Sequence, residues 1–351
     1  MAVPLWPHST GASAVLALAT CLVSPSALLE AFVSLSGPPA NPSWYTENVA
    51  YSQPDSSVVP SDTAATPFTL KFKGEVSPYR VMGMFVMPEE PVVLEAVSDD
   101  PTRTHGIEVA GGDLLPLGGS RWLWTAPLDK GLYPLRIWDT ETGGAMTLNA
   151  FVLVPYRRQR ILNHYRIGRY QSTLLQNNPS YEVPRGFVEV TDQNQDALIA
   201  PHFTLGQFVS KQAAGFPKYL VLRERLLLQL ETLLETLNQR GVTATTLRVT
   251  SGYRTPHYNR VIGSETKYSR HLYGDAADIY IDEDGDGRMD DLNHDGRVNL
   301  QDARFVSDIV EEIRANTGAV YEGGLGLYRP RPGHGPFLHV DVRGEHVEWG
   351  P

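Results

Sequence analysis

The chain runs to 351 residues, of which 42% are hydrophobic and 20% charged, with a formal net charge of -10. That length implies two domains with connecting segments, and the composition excludes both a disordered chain and a multi-span membrane protein. The acidity excludes duplex nucleic acid as a partner, since that contact needs a basic face to displace counterions, while it suits the binding of cations.

Residues 11–35 form one apolar stretch, interrupted by Pro25 and Glu30 and followed by small residues at 37–40. Residues 1–40 are therefore expected to be an export signal or membrane anchor, although no Lys or Arg precedes the stretch, as one usually does in a secretory signal. A buried apolar helix is the alternative, which Pro25 would break. The single cysteine, Cys21, lies inside this stretch, so a cleaved chain could form no internal disulfide. Export would place the protein in the periplasm or cell envelope; a chain without cysteines fits the cytosol equally. Residues 41–67, rich in Pro, Ser, Asn and Thr, read as a linker.

Between 68 and 155, short β-type runs alternate with turn signals, at 69–73, 79–87, 92–97, 121–125, 131–138 and 145–154. The spacing predicts a small all-β antiparallel sandwich. Lys130-Gly131-Leu132-Tyr133-Pro134-Leu135 resembles a late strand of an immunoglobulin-like domain, in which a tyrosine anchors a loop; no catalysis is assigned to this part. Residues 156–200 form a connecting segment that wraps onto one of the domains. From Pro201 the pattern changes to α+β. A capped helical start is expected at 203–208 and a long amphipathic helix at 219–240, ended by Gly241, then a strand at 247–250.

His271 and Asp278 lie seven residues apart across Gly274, leading into an apolar strand at 279–281. Phe337-Leu338-His339-Val340-Asp341-Val342-Arg343 alternates as a strand does, with His339, Asp341 and Arg343 on one face. If the two strands are adjacent, His271, Asp278 and His339 converge. Two imidazoles and a carboxylate give a tetrahedral metal three protein ligands and leave the fourth position to water. On spacing alone, the same residues fit ordinary hydrogen-bonded groups near strand ends.

Ser251-Gly252-Tyr253-Arg254-Thr255-Pro256-His257-Tyr258-Asn259, Ser269-x-His271-x-x-Gly274-x-Ala276-x-Asp278, Gly323-Gly324-Leu325-Gly326-Leu327-Tyr328 and Phe337-x-His339-x-Asp341 occur in that order. Together they resemble the zinc D-Ala-D-Ala carboxypeptidase family, whose related folds include vancomycin-resistance dipeptidases, phage endolysin endopeptidases and the Hedgehog signalling domain. The resemblance covers residues 201–351 and implies an α+β zinc peptidase domain acting on peptidoglycan stem peptides. It implies His271, Asp278 and His339 as zinc ligands and Arg254 as a contact to a substrate carboxylate or carbonyl; beside these, Tyr253, Tyr258 and Ser269 are read as lining the substrate cleft. Many relatives carry an acidic residue three positions before the last ligand, where this chain has Pro336. Asp341 is then the first candidate for the general base and His334 the second. The alternative for Asp341 is a carboxylate supporting His339 or paired with Arg343; for Tyr253 it is core packing.

Between the second and third ligands lies an acidic insert, residues 282–302. Its second half fits a twelve-residue calcium loop, with donors from Asp291, Asn293, Asp295, the Arg297 carbonyl, Asn299 and Asp302, and Gly296 at the sharp turn. It resembles the loops of dockerin modules, and a helix at 302–314 is expected to leave it. Asp282, Asp284, Asp286, Arg288 and Asp290 begin another such loop whose twelfth position, Asn293, is already used, so either the two share ligands in a double site or only the loop from Asp291 is filled; a solvated acidic turn without metal is the alternative. Calcium here is expected to be structural. Beside the peptidase reading stand a degenerate domain that binds wall peptides without cutting, suggested by Pro336, and a dockerin-type partner surface, for which only one of two exit helices is visible.

Overall fold

From Ala65 to Val152 buried and exposed side chains largely alternate, and the chain responds with nine strands: β1 (Ala65–Phe72), β2 (Glu75–Tyr79), β3 (Val81–Val86), β4 (Pro91–Val97), β5 (His105–Val109), β6 (Asp113–Gly118), β7 (Arg121–Thr125), β8 (Gly131–Asp139) and β9 (Ala145–Val152). They belong to a computed structural model that describes residues 65–264 and 266–351. The expected export signal or anchor, with Cys21, and nearly all of the expected linker lie outside the described residues.

Two sheets result, in the orders β2-β1-β4-β7-β6 and β3-β9-β8-β5. Phe68, Leu70, Leu94 and Trp124 from the first share one core with Met84, Leu135, Ile137 and Leu148 from the second. The expectation of a purely antiparallel arrangement is corrected, because β3 and β9 run parallel. The expected run at 79–87 divides at Arg80 into strands of different sheets. β5 and β6 were not expected at all; they sit at the sheet edges.

The following segment supplies β10 (Val154–Pro155), β11 (Ile161–Leu162), β12 (Tyr165–Arg166), β13 (Gly186–Val190), β14 (Leu198–Ala200), β15 (Phe203–Thr204) and β16 (Lys218–Leu220). Instead of a helix at 203–208, the chain forms β15 and one 3-10 turn, Leu205–Phe208, capped reciprocally by Thr204 and Gln207. Helix α1 (Glu224–Gln239) starts later than expected because Tyr219 and Leu220 pair with β13 in β16. Its face of Leu226, Leu227, Leu230, Leu233, Leu234 and Leu237 is buried, and Gly241 follows at φ +89°. Glu224 Oε1 accepts from Phe85 N at 3.0 Å and Lys73 Nζ at 2.7 Å, which ties α1 to the strands before it.

The last sheet has the order β17-β18-β20-β19-β21, from β17 (Arg248–Ser251), β18 (Ala276–Tyr280), β19 (Gly324–Tyr328), β20 (Phe337–Asp341) and β21 (Val347–Trp349). Helix α2 (Pro256–Val261) follows β17. Helix α3 (Leu300–Thr317) leaves the insert and buries Ala303, Val306, Ile309, Val310 and Ile313 beside β19, β20 and α1.

Candidate metal centre

Adjacent strands create the site. β18 and β20 pair antiparallel with Asp278 opposite His339, so both side chains leave the same face of the sheet. His271 arrives on the 3-10 turn Arg270–Leu272. Between it and Asp278, Gly274 holds φ +73°, and a Cβ there would overlap the Val221 carbonyl. All three side chains are at least nine-tenths buried.

Their donor atoms converge. Asp278 Oδ1 lies 3.2 Å from His271 Nε2 and 2.9 Å from His339 Nδ1. The far nitrogen of each ring is already engaged: His271 Nδ1 donates to the Gly252 carbonyl at 2.7 Å, and His339 Nε2 donates to Asp341 Oδ2 at 3.0 Å. Fixing the proton on the outer nitrogen turns each inner lone pair toward Asp278, which is how ligating histidines are held. The set of two nitrogens and one oxygen fits zinc.

Burial, the largest influence, lowers the His271 pKa in spite of Asp278. Burial also disfavours charge on His339, yet hydrogen bonds that the ring donates to Asp278 and Asp341 outweigh it and push that group up to about 9. The two rings differ because His339 lies between two carboxylates, whereas the outer partner of His271 is a neutral carbonyl. Asp278 and Asp341 stay well below the usual carboxylate range, against burial, through the histidines and, for Asp341, Arg343. A cation at the inner nitrogens would replace the proton there.

Arg254 orients Asp278 from the other side. Nη2 donates to Asp278 Oδ2 at 2.5 Å and Nε to Ser251 Oγ at 2.7 Å, while its backbone N donates to the His271 carbonyl at 3.0 Å. Nη1 makes no hydrogen bond among the described residues, and Arg254 lines the groove. Ser269 and Arg254 both line the cleft that holds the three ligands.

Two expected roles are corrected. Asp341 is fully buried: its oxygens accept from His339 Nε2, from Gly324 N at 2.8 Å and from Arg343 Nε at 2.8 Å, so it supports His339 from behind and has no path to a water in the groove. Tyr253 is also buried, with its hydroxyl 2.9 Å from that of Tyr170 and its ring against Phe187, and it packs in the core rather than beside a substrate. His334 is exposed in the loop before β20 and lines the groove with Arg254, Tyr258 and Asp278.

Gly252, Ser251 and Trp349 escaped the sequence reading as contributors. The signal at Gly252 was its lack of a side chain, since a Cβ would overlap the Phe208 backbone. The Trp349 ring lies 5.0 Å from that of His339 and its Nε1 donates to Tyr328 Oη at 3.0 Å.

The insert folds as two successive loops. Asp291 accepts from the amides of Asp295 and Gly296, Asn293 from Asp295, and Asp295 from Arg297; Gly296 takes φ +80°. Asp282, Asp284 and Asp286 repeat this pattern with Gly287, Asp286 and Arg288. In the first loop the converging carboxylates are Asp282, Asp284 and Asp290, without Asp286. Asp302 is buried and accepts from the amides of Leu292, Asn293 and Asn299, closing the second loop, and Asn299 caps α3 through Gln301 N.

The sequence pattern of the family described as Peptidase M15 matches residues 204–296, which include His271 and Asp278. The C-terminal region carries a peptidase M15 domain. His339, the third of the converging side chains, lies beyond the matched residues. No curated protein matches the chain. Among solved structures, a nucleoside hydrolase-related hypothetical protein from Saccharophagus degradans matches at 10% identity and TM-score 0.20, over 25% of this chain and 26% of that one. The chain thus spans about a quarter of that relative. The titin M3 domain matches at 14% identity and TM-score 0.17, over 24% of this chain and 97% of that one. A polysaccharide lyase matches at 11% identity and TM-score 0.19, over 72% and 32%. Likenesses at these scores carry no argument for the M15 domain or for the strands before it.

Proposed function

We propose that the protein is an exported zinc peptidase that hydrolyses peptide bonds in peptidoglycan stem peptides. One observation carries the reading: two imidazoles, each tethered at its outer nitrogen, present their inner nitrogens to a single carboxylate oxygen at the edge of a groove. His271 Nε2, Asp278 Oδ1 and His339 Nδ1 would hold the metal. Zinc bound by such a set supplies Lewis acidity to a peptide carbonyl and to water.

The remaining chemistry belongs to the chain. Arg254 holds Asp278 in place and lines the groove, where a planar cation suits a carbonyl oxygen or carboxylate. Asp341 fixes the tautomer and tilt of His339. With Asp341 sequestered, His334 becomes the candidate that takes the proton from the attacking water and returns it to the leaving amine.

The insert is read as a structural calcium site, which its paired loops and their glycine turns support. The strands before the M15 domain are read as an immunoglobulin-like sandwich that spaces or holds the enzyme near its polymer; the Tyr133 hydroxyl, 3.1 Å from the Asp129 carbonyl, supports that reading. Export rests on the apolar stretch within residues 1–40.

The test is incubation of the zinc-loaded protein with defined muropeptides, followed by mass measurement of the products. Loss of a peptide fragment supports the reading. No product from any muropeptide, with zinc demonstrably bound, overturns it in favour of a domain that binds without cutting.

A further inference from the structure

The three ligands do not sit at the end of a pit. A cleft of about 450 Å³ contains His271, Asp278 and His339, and a second of about 460 Å³ adjoins it, the two sharing Arg254, Asp278 and Phe337. The metal centre therefore lies inside a continuous groove with an arm on either side of Arg254. Each arm by itself has the volume of a small-ligand site, more than one terminal residue would fill.

The arms differ in chemistry. Tyr268, Tyr328, Phe337 and Trp349 line the one that holds the ligands, and its arginines Arg270 and Arg343 are committed to Asp275 and Asp341. The other arm is walled by the insert itself, through Gly287, Arg288 and Met289, with Lys211 also on its lining. Arg288 and Lys211 are exposed, and neither forms an ion pair among the described residues; Lys211 Nζ has only Thr250 Oγ1, at 3.5 Å. Carboxylates of the insert are engaged elsewhere: Asp286 accepts from Arg288 N, and Asp282 accepts from Gly287 N and pairs with Arg248. In a chain of net charge -10, two uncommitted cations on one arm of this groove mark where a carboxylate would be read.

We infer that the groove takes an extended peptide across both arms, with a side-chain carboxylate of that peptide held by Arg288 and Lys211 and an uncharged stretch on the aromatic arm, so that the bond over the metal centre is an internal one. The inference rests on the peptidase reading for the cut and on the groove alone for the binding. It gives the insert a second role as part of the substrate wall.

Binding is measured by calorimetry on the full chain, using an acidic peptide with an amidated C-terminus and its Glu-to-Gln counterpart; hydrolysis of both by the zinc-loaded protein is followed by mass. The acidic peptide is expected to bind about tenfold more tightly, as charge-assisted hydrogen bonds do, and Arg288→Gln with Lys211→Gln is expected to erase the difference. Because both side chains are exposed, the double variant should keep its melting temperature. Equal binding of the two peptides, or binding that needs a free C-terminal carboxylate, overturns the inference. Discriminating binding with no hydrolysis of these peptides or of any muropeptide leaves the groove assignment standing and removes the peptidase reading, whereas hydrolysis without discrimination does the reverse.

Discussion

Asp278 and His339, 61 positions apart in the chain, stand opposite one another across the β18–β20 ladder, with Oδ1 2.9 Å from Nδ1. Strand register thus builds the candidate metal centre, and a slip of one residue would turn His339 to the opposite face.

His271→Ala removes one of three donors and is expected to abolish both stoichiometric zinc and peptide hydrolysis. Metal analysis of the purified variant checks the first and product mass the second. A variant that keeps full activity would contradict the ligand assignment.

Asp341→Asn keeps an acceptor for His339 Nε2 while removing the charge between that ring and Arg343. Zinc affinity is expected to fall about 10- to 100-fold, as it does when an outer partner of a ligating histidine is lost. Competition with a chromophoric chelator measures this, and circular dichroism verifies the fold. Unchanged affinity would leave Asp341 with a packing role only.

Gly274→Ala puts a methyl group into the Val221 carbonyl at a backbone angle that L-residues rarely adopt. Folding stability is expected to drop by about 2 kcal/mol or more, read from urea unfolding. A change within experimental scatter would mean that the turn relaxes freely.

Calcium should raise the melting temperature, and a chelator should return it to the starting value. At a concentration of about a hundred times Kd, the gain is about 2.7 kcal/mol. Asp291→Ala, which removes the carboxylate that holds the Asp295 and Gly296 amides, should abolish the response. No heat of binding and no thermal shift would refute the calcium reading.

Glu224→Gln weakens the buried link from α1 to Lys73 and the Phe85 amide. A loss of about 1–3 kcal/mol is expected, with cooperativity retained if the strands and α1 unfold together. Two separate transitions would show that the strands before α1 unfold on their own.

His271, Asp278 and His339 were legible because short motifs fix their local setting: a glycine turn between the first two and an alternating strand around the third. The use of Asp341 was not, since its oxygens serve Gly324 N and Arg343 as well as His339, and only the pairing of β19 with β20 brings Gly324 near. Tyr253 misled for a similar reason. It stands beside Arg254 in sequence, but its hydroxyl partner Tyr170 comes from the connecting segment 83 positions away. β6 was hidden because Pro116 and two glycines near its end read as turn signals, and an edge strand tolerates a proline that a central one would not. Glu224 looked like an ordinary helix-starting acid, and nothing local announces that the Phe85 amide waits for it.

His271 is stitched to one tripeptide twice, its ring to the Gly252 carbonyl and its own carbonyl to Arg254 N. Swinging the imidazole out would therefore cost its bond to the Gly252 carbonyl, while the main-chain bond to Arg254 keeps its own backbone in place. Its ordering is completed when the chain folds, so an arriving cation meets a donor that needs no rearrangement. One metal could then replace another while the peptide groove keeps its shape.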